Sequence, residues 1–366
     1  MGCSLAFYLA RAGRTVTVVD RGRIGQGATA ACAGGIRAQF STEINIRIGM
    51  EAKAILARFA DETGQSADFR PVGYLFLLTT EEERLRFREA VRRQRRCGVD
   101  DVVELSPADA QAMVPGLRIE DLSGATFCPS DGLAGPNDVT YGYANAARRH
   151  GAVIFEDTAV TAFLRYGDRV EGIRTVAGEI ECAQTVICAG PWSAPVGALL
   201  GLTLPIVPSR RQAFVTEPFD GIRRSSPMTI DFHTSFYFHP EGEGVLFGMS
   251  DPDTPAGDDT RVDWAFLDQI TAVAQQRWPP LLEARVKTAW AGLYENTPDF
   301  QPLIGPLRAG LWIAAGFSGH GFMMAPVVGR WLASWMVDGA PPTDLGAFAP
   351  ERFATGSNAE PERNVV

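Results

Sequence analysis

Histidine is scarce in this sequence, and its cysteines are not arranged to bind a metal. The 366 residues include four histidines and six cysteines, which are Cys3, Cys32, Cys97, Cys128, Cys182 and Cys188. No two cysteines form a C-x-x-C pair and no spacing typical of a zinc site occurs, so we predict no metal. Scattered single cysteines are typical of buried thiols in a reducing compartment, and we therefore expect a cytoplasmic protein.

A long apolar run and an excess of basic charge are also missing. No run approaches the ~18–20 residues of a membrane span, and residues 2–10 lack the basic flank and cleavage site of a signal peptide. The formal net charge of −9 argues against a nucleic-acid partner, which needs a basic face. The one arginine-rich segment, residues 81–98, also carries acids and is typical of a solvated helix face.

The first residues have the pattern of the second half of a nucleotide-binding βαβ unit. Residues 2–13 are predicted to form a helix, and residues 15–20 a strand that ends in Asp20. Gly2 would be the last glycine of a G-x-G-x-x-G loop, so about 10–15 further residues of strand and loop are expected upstream. Asp20 either binds the ribose of a nucleotide or caps the turn that follows, and the sequence leaves both open.

Helical and strand-rich segments alternate along the rest of the chain. Helices are predicted at 43–60, 81–97, 106–114, 135–150 and 262–277. Short strands between 152 and 190, separated by glycine turns, indicate an antiparallel meander. Nucleotide-type pieces at the start, middle and end, with strand-rich pieces between them, predict two interleaved domains of mixed α/β class. The polar residues 356–366 are predicted to form a disordered tail.

Three glycine-rich segments follow predicted strands, where small residues let the backbone approach a ligand closely. They are GQGATAACAGGIRAQF at 25–40, VICAGPWS at 186–193 and AAGFSGHGFMMAPVVG at 314–329. The last has the pattern of a strand, a turn and a helix. A helix that begins near Gly319 would point its free N–H groups and the positive end of its dipole at a bound group.

In this order, the segments GIRAQF, ICAGPWS, YENTPDFQPLIGP and GFSGHGF resemble the FAD-dependent D-amino acid oxidase superfamily, of the sarcosine oxidase and sarcosine or proline dehydrogenase β-subunit type. The resemblance covers essentially the whole chain. It implies a Rossmann-like FAD-binding domain with an antiparallel β-meander, interleaved with a mixed-sheet substrate domain. The implied FAD-binding segments are 1–69, 138–205 and 303–355, and the implied substrate segments are 70–137 and 206–302.

The resemblance also implies which residues contact FAD. Asp20 would take the adenosine ribose, Val160 would present backbone to the adenine, and the turn at 319–322 would meet the isoalloxazine ring. A reduced flavin is anionic, so a helix N-terminus aimed at it would stabilise its charge. The complete expected set of cofactor residues is Gly2, Asp20, Arg21, Ala28, Thr29, Gly34, Val160, Gly190, Trp192, Gly319, His320, Gly321 and Phe322.

Three residues, Arg37, Tyr237 and His320, are expected to serve the reaction. In sarcosine-oxidising relatives an arginine that matches Arg37 holds the substrate carboxylate, and a guanidinium can do so with two parallel hydrogen bonds. A salt bridge within the protein is the alternative role for Arg37. Tyr237 shares a strand face with His239, and this face either lines the pocket or is core or surface. His320 is expected to contact the flavin, and packing within the turn is its alternative.

Three departures from the family pattern change the expected chemistry. Gly292 stands where monomeric sarcosine oxidases carry the cysteine that binds flavin covalently, so non-covalent FAD is expected. Leu246 replaces a lysine that assists oxygen activation, and Met323 replaces a second carboxylate-binding cation. We therefore expect hydride transfer from the C–N carbon of an amino acid or secondary amine to flavin N5, with a dehydrogenase slightly preferred to an oxidase. The expected partners are this small-molecule substrate and an electron-acceptor subunit, and a non-catalytic flavoprotein subunit or assembly factor is the alternative function.

Overall fold

The computed structural model describes residues 1–251, 253–355 and 360–365. The helices are α1 Gly2–Arg11, α2 Glu43–Ala57, α3 Phe59–Thr63, α4 Glu81–Arg96, α5 Pro107–Met113, α6 Pro136–Arg149, α7 Ser193–Ala198, α8 Ala265–Arg277, α9 Gly321–Asp338 and α10 Arg352–Thr355. Short 3-10 helices lie at Gly190–Trp192, Pro279–Glu283 and Gly346–Phe348. None of the described helices is both long and apolar enough to cross a membrane.

The strands of the described residues belong to five sheets, and two of these sheets have only two strands. In chain order they are β1 Thr17–Val19, β2 Gly35–Ile36, β3 Tyr74–Leu78, β4 Val103–Leu105, β5 Gly124–Cys128, β6 Gly132–Leu133, β7 Val153–Phe155, β8 Val160–Tyr166, β9 Arg169–Thr175, β10 Gly178–Glu181, β11 Thr185–Ile187, β12 Val207–Thr216, β13 Met228–Asp231, β14 Tyr237–Glu241, β15 Gly244–Met249, β16 Val286–Asn296, β17 Leu303–Arg308 and β18 Leu311–Ala315.

The nucleotide-type elements assemble around α1. Seven of the ten residues of this helix are buried, and it packs against α6 and α9. Gly13 has a φ of 77°, which lets the chain turn back into β1. Strand β1 pairs in parallel with β7, and β11 pairs in parallel with β18. Strands β8, β9 and β10 form an antiparallel sheet, so the predicted meander is confirmed.

The large sheet has eight strands in the order β16-β12-β15-β14-β13-β3-β5-β4. Only β13 and β3 run parallel in it, which confirms the predicted mixed sheet. Because side chains alternate along each strand, one face contributes Phe214, Phe238 and Phe247 to an apolar core with α8. The opposite face carries Tyr74 and Tyr237 toward the nucleotide-type elements. All eight strands lie within 70–137 and 206–302, although the exact domain boundaries stay a prediction.

The last described residues are packed against the body of the protein. Glu362 and Asn364 are buried, and the Glu362 carboxylate accepts hydrogen bonds from the backbone N–H groups of Ser41 and Thr42 and from the Asn45 side chain. This carboxylate lies at the positive end of α2, whose N-cap Thr42 makes no capping bond of its own. The predicted disordered tail is therefore wrong for residues 360–365, because paired polar groups replace the apolar contacts that their composition lacks. Residues 356–359 and 366 lie outside the described residues.

Candidate active site

A cavity of about 260 Å³ lies between α1, the start of α9 and the inner face of the large sheet. Its wall combines the three glycine-rich segments with residues of β3, β12, β13, β14 and β16. The fold thus brings together segments that are far apart in the sequence. The predicted site residues in this wall are Ala28, Thr29, Arg37, Gly190, Tyr237, Gly319, His320, Gly321 and Phe322.

The other predicted cofactor residues lie outside the cavity wall. Asp20 follows β1, and its carboxylate accepts the backbone N–H of Gly22 at 2.9 Å, as in the turn-capping alternative. The guanidinium carbon of Arg21 lies 3.9 Å from the centroid of the Trp192 ring. Three further predicted residues are Gly2 at the start of α1, Gly34 before β2 and Val160 at the start of β8. For all the residues outside the wall, a contact with the nucleotide stays a prediction.

The turn before α9 presents backbone N–H groups to the cavity. Gly316 and Gly319 have φ values of 80° and 89°, which glycine adopts without steric cost. A Cβ at Gly319 would clash with the ring of Tyr294, so this ring packs directly on the turn. The first N–H bonded within α9 is that of Met324, which donates to the His320 carbonyl. The N–H groups of residues 321–323 therefore have no partner in the helix and can bind an acceptor.

Glu295 is a cavity residue to which the sequence interpretation gave no role. It lies near the end of β16, and its carboxylate accepts the Gly316 N–H at 2.9 Å. A Cβ on Gly321 would lie 3.6 Å from the same carboxylate, which places Glu295 beside the start of α9. Burial raises the pKa of Glu295 to about 7, against the lowering effect of the N–H groups of Gly316 and Phe317. The only feature of the sequence that could have indicated Glu295 is the position of an acidic residue near the end of a half-buried strand.

The raised pKa of Glu295 predicts a specific pH dependence of stability. The folded chain binds the proton of Glu295 more tightly than the unfolded chain does. Protonation of Glu295 therefore stabilises the folded state fully below pH 4.5, and this stabilisation is lost as the pH rises through about 7. Glu295→Gln keeps an acceptor for Gly316 but cannot ionise. When the pH rises from 5 to 8, we expect the free energy of unfolding of the variant to increase by about 1–2 kcal/mol relative to that of the parent. The expected change is smaller than the full cost of burying the charge, because water in the cavity solvates part of it. Urea unfolding at both pH values measures this, and parallel stability profiles would contradict it.

Arg37 lies in the cavity wall and is held from three sides. It is 3% exposed, and its guanidinium donates to the backbone carbonyls of Gln39 and Asn364 and contacts His320 Nε2 at 3.1 Å. The guanidinium carbon lies 4.1 Å from the centroid of the Phe40 ring. Burial lowers the pKa of Arg37 from its ordinary value. Both N–H groups of Nη2 are hydrogen-bonded within the protein. A carboxylate that binds the guanidinium in bidentate fashion must therefore displace Asn364 or His320 from Nη2.

His320 is buried and neutral at the N-cap of α9. Burial, reinforced by the charge of Arg37, lowers the pKa of His320 well below its usual range. Because Nε2 accepts from Arg37, the ring carries its proton on Nδ1. Nδ1 is buried and has no hydrogen-bond partner among the described residues. The Nδ1–H group is therefore an unused donor that a ligand can accept from. The imidazole and Phe40 rings meet edge to face at a centroid distance of 5.1 Å.

A polar network that the sequence did not reveal holds the segment around Arg37. Buried Asp131 accepts the backbone N–H of Ala38 at 2.9 Å and forms an ion pair with Lys53 at 2.8 Å. Gln39 donates to the same carboxylate and to the Tyr74 carbonyl. These contacts fix the two residues that directly follow Arg37. No local pattern marks Asp131, because its partners lie far away in the sequence.

A comparison with protein families agrees with this geometry. Residues 1–335 match the DAO family, described as FAD dependent oxidoreductase. The chain belongs to this family. The DAO family uses FAD, and the resemblance inferred from the glycine-rich segments is confirmed.

Relatives in the DAO family include dehydrogenases and oxidases. Mitochondrial dimethylglycine dehydrogenase of Rattus norvegicus is 28% identical over 376 residues, which cover 96% of this chain and 44% of that protein. Glycine oxidase of Geobacillus kaustophilus is 28% identical over 362 residues, which cover 95% of this chain and 93% of that protein. The crystal structure of L-proline dehydrogenase from P. horikoshii has a TM-score of 0.90 and 33% identity, covering 97% of this chain and 95% of that one. The chain thus spans less than half of the first relative and nearly all of the other two.

The groups around the cavity fit the cofactor of the DAO family. FAD offers acceptor oxygens and ring nitrogens, and the wall offers the free N–H groups at 321–323 and the unpartnered Nδ1 of His320. Gly292 and Ala31 line the cavity together, and a Cβ at Gly292 would clash with Ala31. The backbone of β16 therefore contacts the glycine-rich segment directly at this edge of the cavity, and a larger residue at position 292 would push the two apart.

Proposed function

We propose that this chain is an FAD-dependent oxidoreductase that oxidises the C–N bond of an amino acid or secondary amine, a CH–NH or CH–NH₂ donor. The observation that carries the proposal is the buried guanidinium of Arg37. It lies in the wall beside the start of α9, and no carboxylate pairs with it among the described residues. The dehydrogenase and oxidase activities that the relatives' names state, on dimethylglycine, glycine and L-proline, support it.

Each proposed role follows from the position of the residue. FAD, when bound, supplies the hydride acceptor, flavin N5. Arg37 binds the substrate carboxylate, and Tyr237 closes the pocket against water. The free N–H groups at the start of α9 and its dipole stabilise negative charge beside them, and His320 donates from Nδ1. The remaining cofactor contacts are assigned to Gly2, Asp20, Arg21, Ala28, Thr29, Gly34, Val160, Gly190 and Trp192.

Anaerobic reduction of the flavin tests this function. We expect at least one of N-methylglycine, N,N-dimethylglycine, glycine and L-proline to bleach the visible flavin band within seconds to minutes. Dithionite serves as the control, because it reduces any accessible flavin without needing a substrate site. Bleaching by dithionite and by none of a broad set of amines would favour the non-catalytic subunit instead.

The electron acceptor is proposed to be a carrier or partner subunit in the cytoplasm, with oxygen reacting slowly. Leu246 is buried in β15, so the ammonium that assists oxygen activation in sarcosine-oxidising relatives has no counterpart at this position. After substrate reduction we expect slow reoxidation in air-saturated buffer and fast reoxidation by an artificial dye. Stopped-flow mixing with oxygenated buffer measures the rate. Reoxidation by oxygen as fast as turnover would make the protein an oxidase.

We predict that the flavin is bound without a covalent link and leaves the protein on acid precipitation. Gly292 has no thiol, and burial raises the pKa of the cavity thiols Cys32 and Cys188 to about 11 and about 12. Burial also raises the pKa of Cys3, the third cysteine in the described wall. All three thiols stay protonated at neutral pH and are poor nucleophiles. After trichloroacetic acid treatment the yellow colour should appear in the supernatant. Flavin that remains in the washed pellet would contradict the prediction.

A further inference from the structure

Arg210 and Arg211 are neighbours on β12 and have opposite environments. Arg210 pairs with Asp259 at 3.8 Å and with Asp263 at 3.7 Å. Arg211 lines the cavity opposite Gly292 of β16 and forms no ion pair with any described residue. The alternation of side chains along a strand separates the two. The cavity therefore contains a second guanidinium besides Arg37.

The hydrogen bonds of Arg211 leave one edge of its guanidinium unused. Nη1 donates to Ser209 Oγ at 2.8 Å and to the Arg210 carbonyl at 2.9 Å. Nε is buried without a partner, and Nη2 has none in the part of the chain that the structure describes. The guanidinium carbon lies 4.9 Å from the centroid of the Tyr294 ring, which steadies its orientation. Nε and Nη2 form the two-donor edge that a carboxylate accepts in bidentate fashion.

The rest of the cavity wall is rich in hydrogen-bond donors and poor in acids. The hydroxyl groups of Tyr74, Tyr237 and Tyr294 have no hydrogen-bond partner within the described residues, and all three line the cavity. Burial raises the pKa of each phenol, so each stays a neutral donor. Glu295 is the one acid among the described wall residues, and it is bound to the turn at Gly316. Two guanidiniums with such neighbours suit a ligand that carries more than one acidic group.

We propose that Arg211 is a second carboxylate anchor and that the substrate is an amino dicarboxylate. One carboxylate of the substrate binds Arg37, and the other binds the Nε–Nη2 edge of Arg211. The inference rests on the proposed function, which supplies the amine and the first carboxylate. Arg211 then determines specificity without taking part in the oxidation itself.

Two ether probes that cannot be oxidised at a C–N bond test the second anchor. Methoxyacetate has one carboxylate, and diglycolate is a similar ether with a second one. Each is titrated into the FAD-loaded protein, and binding is followed by the flavin spectrum and by calorimetry. We expect diglycolate to bind at least tenfold more tightly than methoxyacetate. Arg211→Gln should weaken diglycolate 10- to 100-fold and methoxyacetate less than twofold, whereas the adjacent control Arg210→Gln should change neither.

Several results would overturn the second anchor. These are equal affinity of the parent protein for both probes, equal weakening of both probes by Arg211→Gln, and loss of bound flavin in that variant. If Arg211→Gln does not fold, Arg211→Lys keeps the charge and removes the two-donor edge. A three- to tenfold loss for diglycolate alone supports the anchor, and an unchanged diglycolate affinity overturns it. Because the probes need no turnover, failure of the oxidation itself would be seen separately, as the absence of bleaching by every amine.

Discussion

Arg37→Ala is expected to reduce kcat/KM for an amino-acid substrate far more than for the same amine without its carboxylate. Removing a buried charged partner of a carboxylate costs about 2–5 kcal/mol, which corresponds to roughly 30-fold to several thousand-fold. A carboxylate-free amine makes no such contact, so its rate should change only by the small effect of repacking. Steady-state kinetics with both compounds, using an artificial dye as the acceptor, measure the difference.

Arg37→Lys separates charge from geometry at the same position. Lysine keeps a positive charge but loses the planar set of donors that meets Gln39, Asn364 and His320. We expect its loss for the amino acid to be intermediate, with thermal unfolding monitored for all variants. Equal losses for the amino acid and the amine would show that Arg37 only supports the fold.

Glu362→Ala is expected to lower the free energy of unfolding by about 2–4 kcal/mol. The substitution removes the acceptor of the backbone N–H groups of Ser41 and Thr42 and one of the two acceptors of the Asn45 amide, and each unsatisfied group carries a desolvation penalty. It also removes a negative charge from the positive end of α2. Urea unfolding followed by far-UV circular dichroism measures the change.

Glu360→Ala is the matched control, because it removes the same side chain from the same segment. Glu360 pairs with Arg93 at 2.8 Å, but its side chain is 56% exposed. An exposed pair of this kind contributes less than about 1 kcal/mol. Similar small effects of both substitutions would contradict the proposed anchoring of residues 360–365 through Glu362.

The elements with local signals could be predicted from the sequence. The turn before α9 requires glycine at positions with positive φ, and its flanking strand and helix have their own hydrophobic patterns. These features are determined by residues that are close in the sequence. The antiparallel meander and α1 are predictable for the same reason. The family resemblance that the glycine-rich segments carry likewise predicts Arg37 and His320 in one site, and both line the cavity.

The remaining features depend on partners that are distant in the sequence. Asp131 and Lys53 support the segment around Arg37 only because the fold brings them next to Ala38. Glu295 could be quoted as part of a motif, but its place beside Gly316 depends on how β16 meets the turn. Glu362 lies in a segment whose composition predicts disorder, and the unpaired N-terminus of α2 overrides that composition. Polar groups of this kind lack the periodicity that reveals apolar cores.

The bond from Arg37 to the Asn364 carbonyl spans 327 positions of the chain. At a ribosomal rate of about 5–20 residues per second, roughly 15–65 s separate the synthesis of its two ends. During this interval a nascent chain has already made the glycine-rich segment and the arginine but not the wall that covers it. The site can therefore be completed only after residue 364 has been synthesised, and a chain that stalls before residue 360 would leave the guanidinium open to solvent.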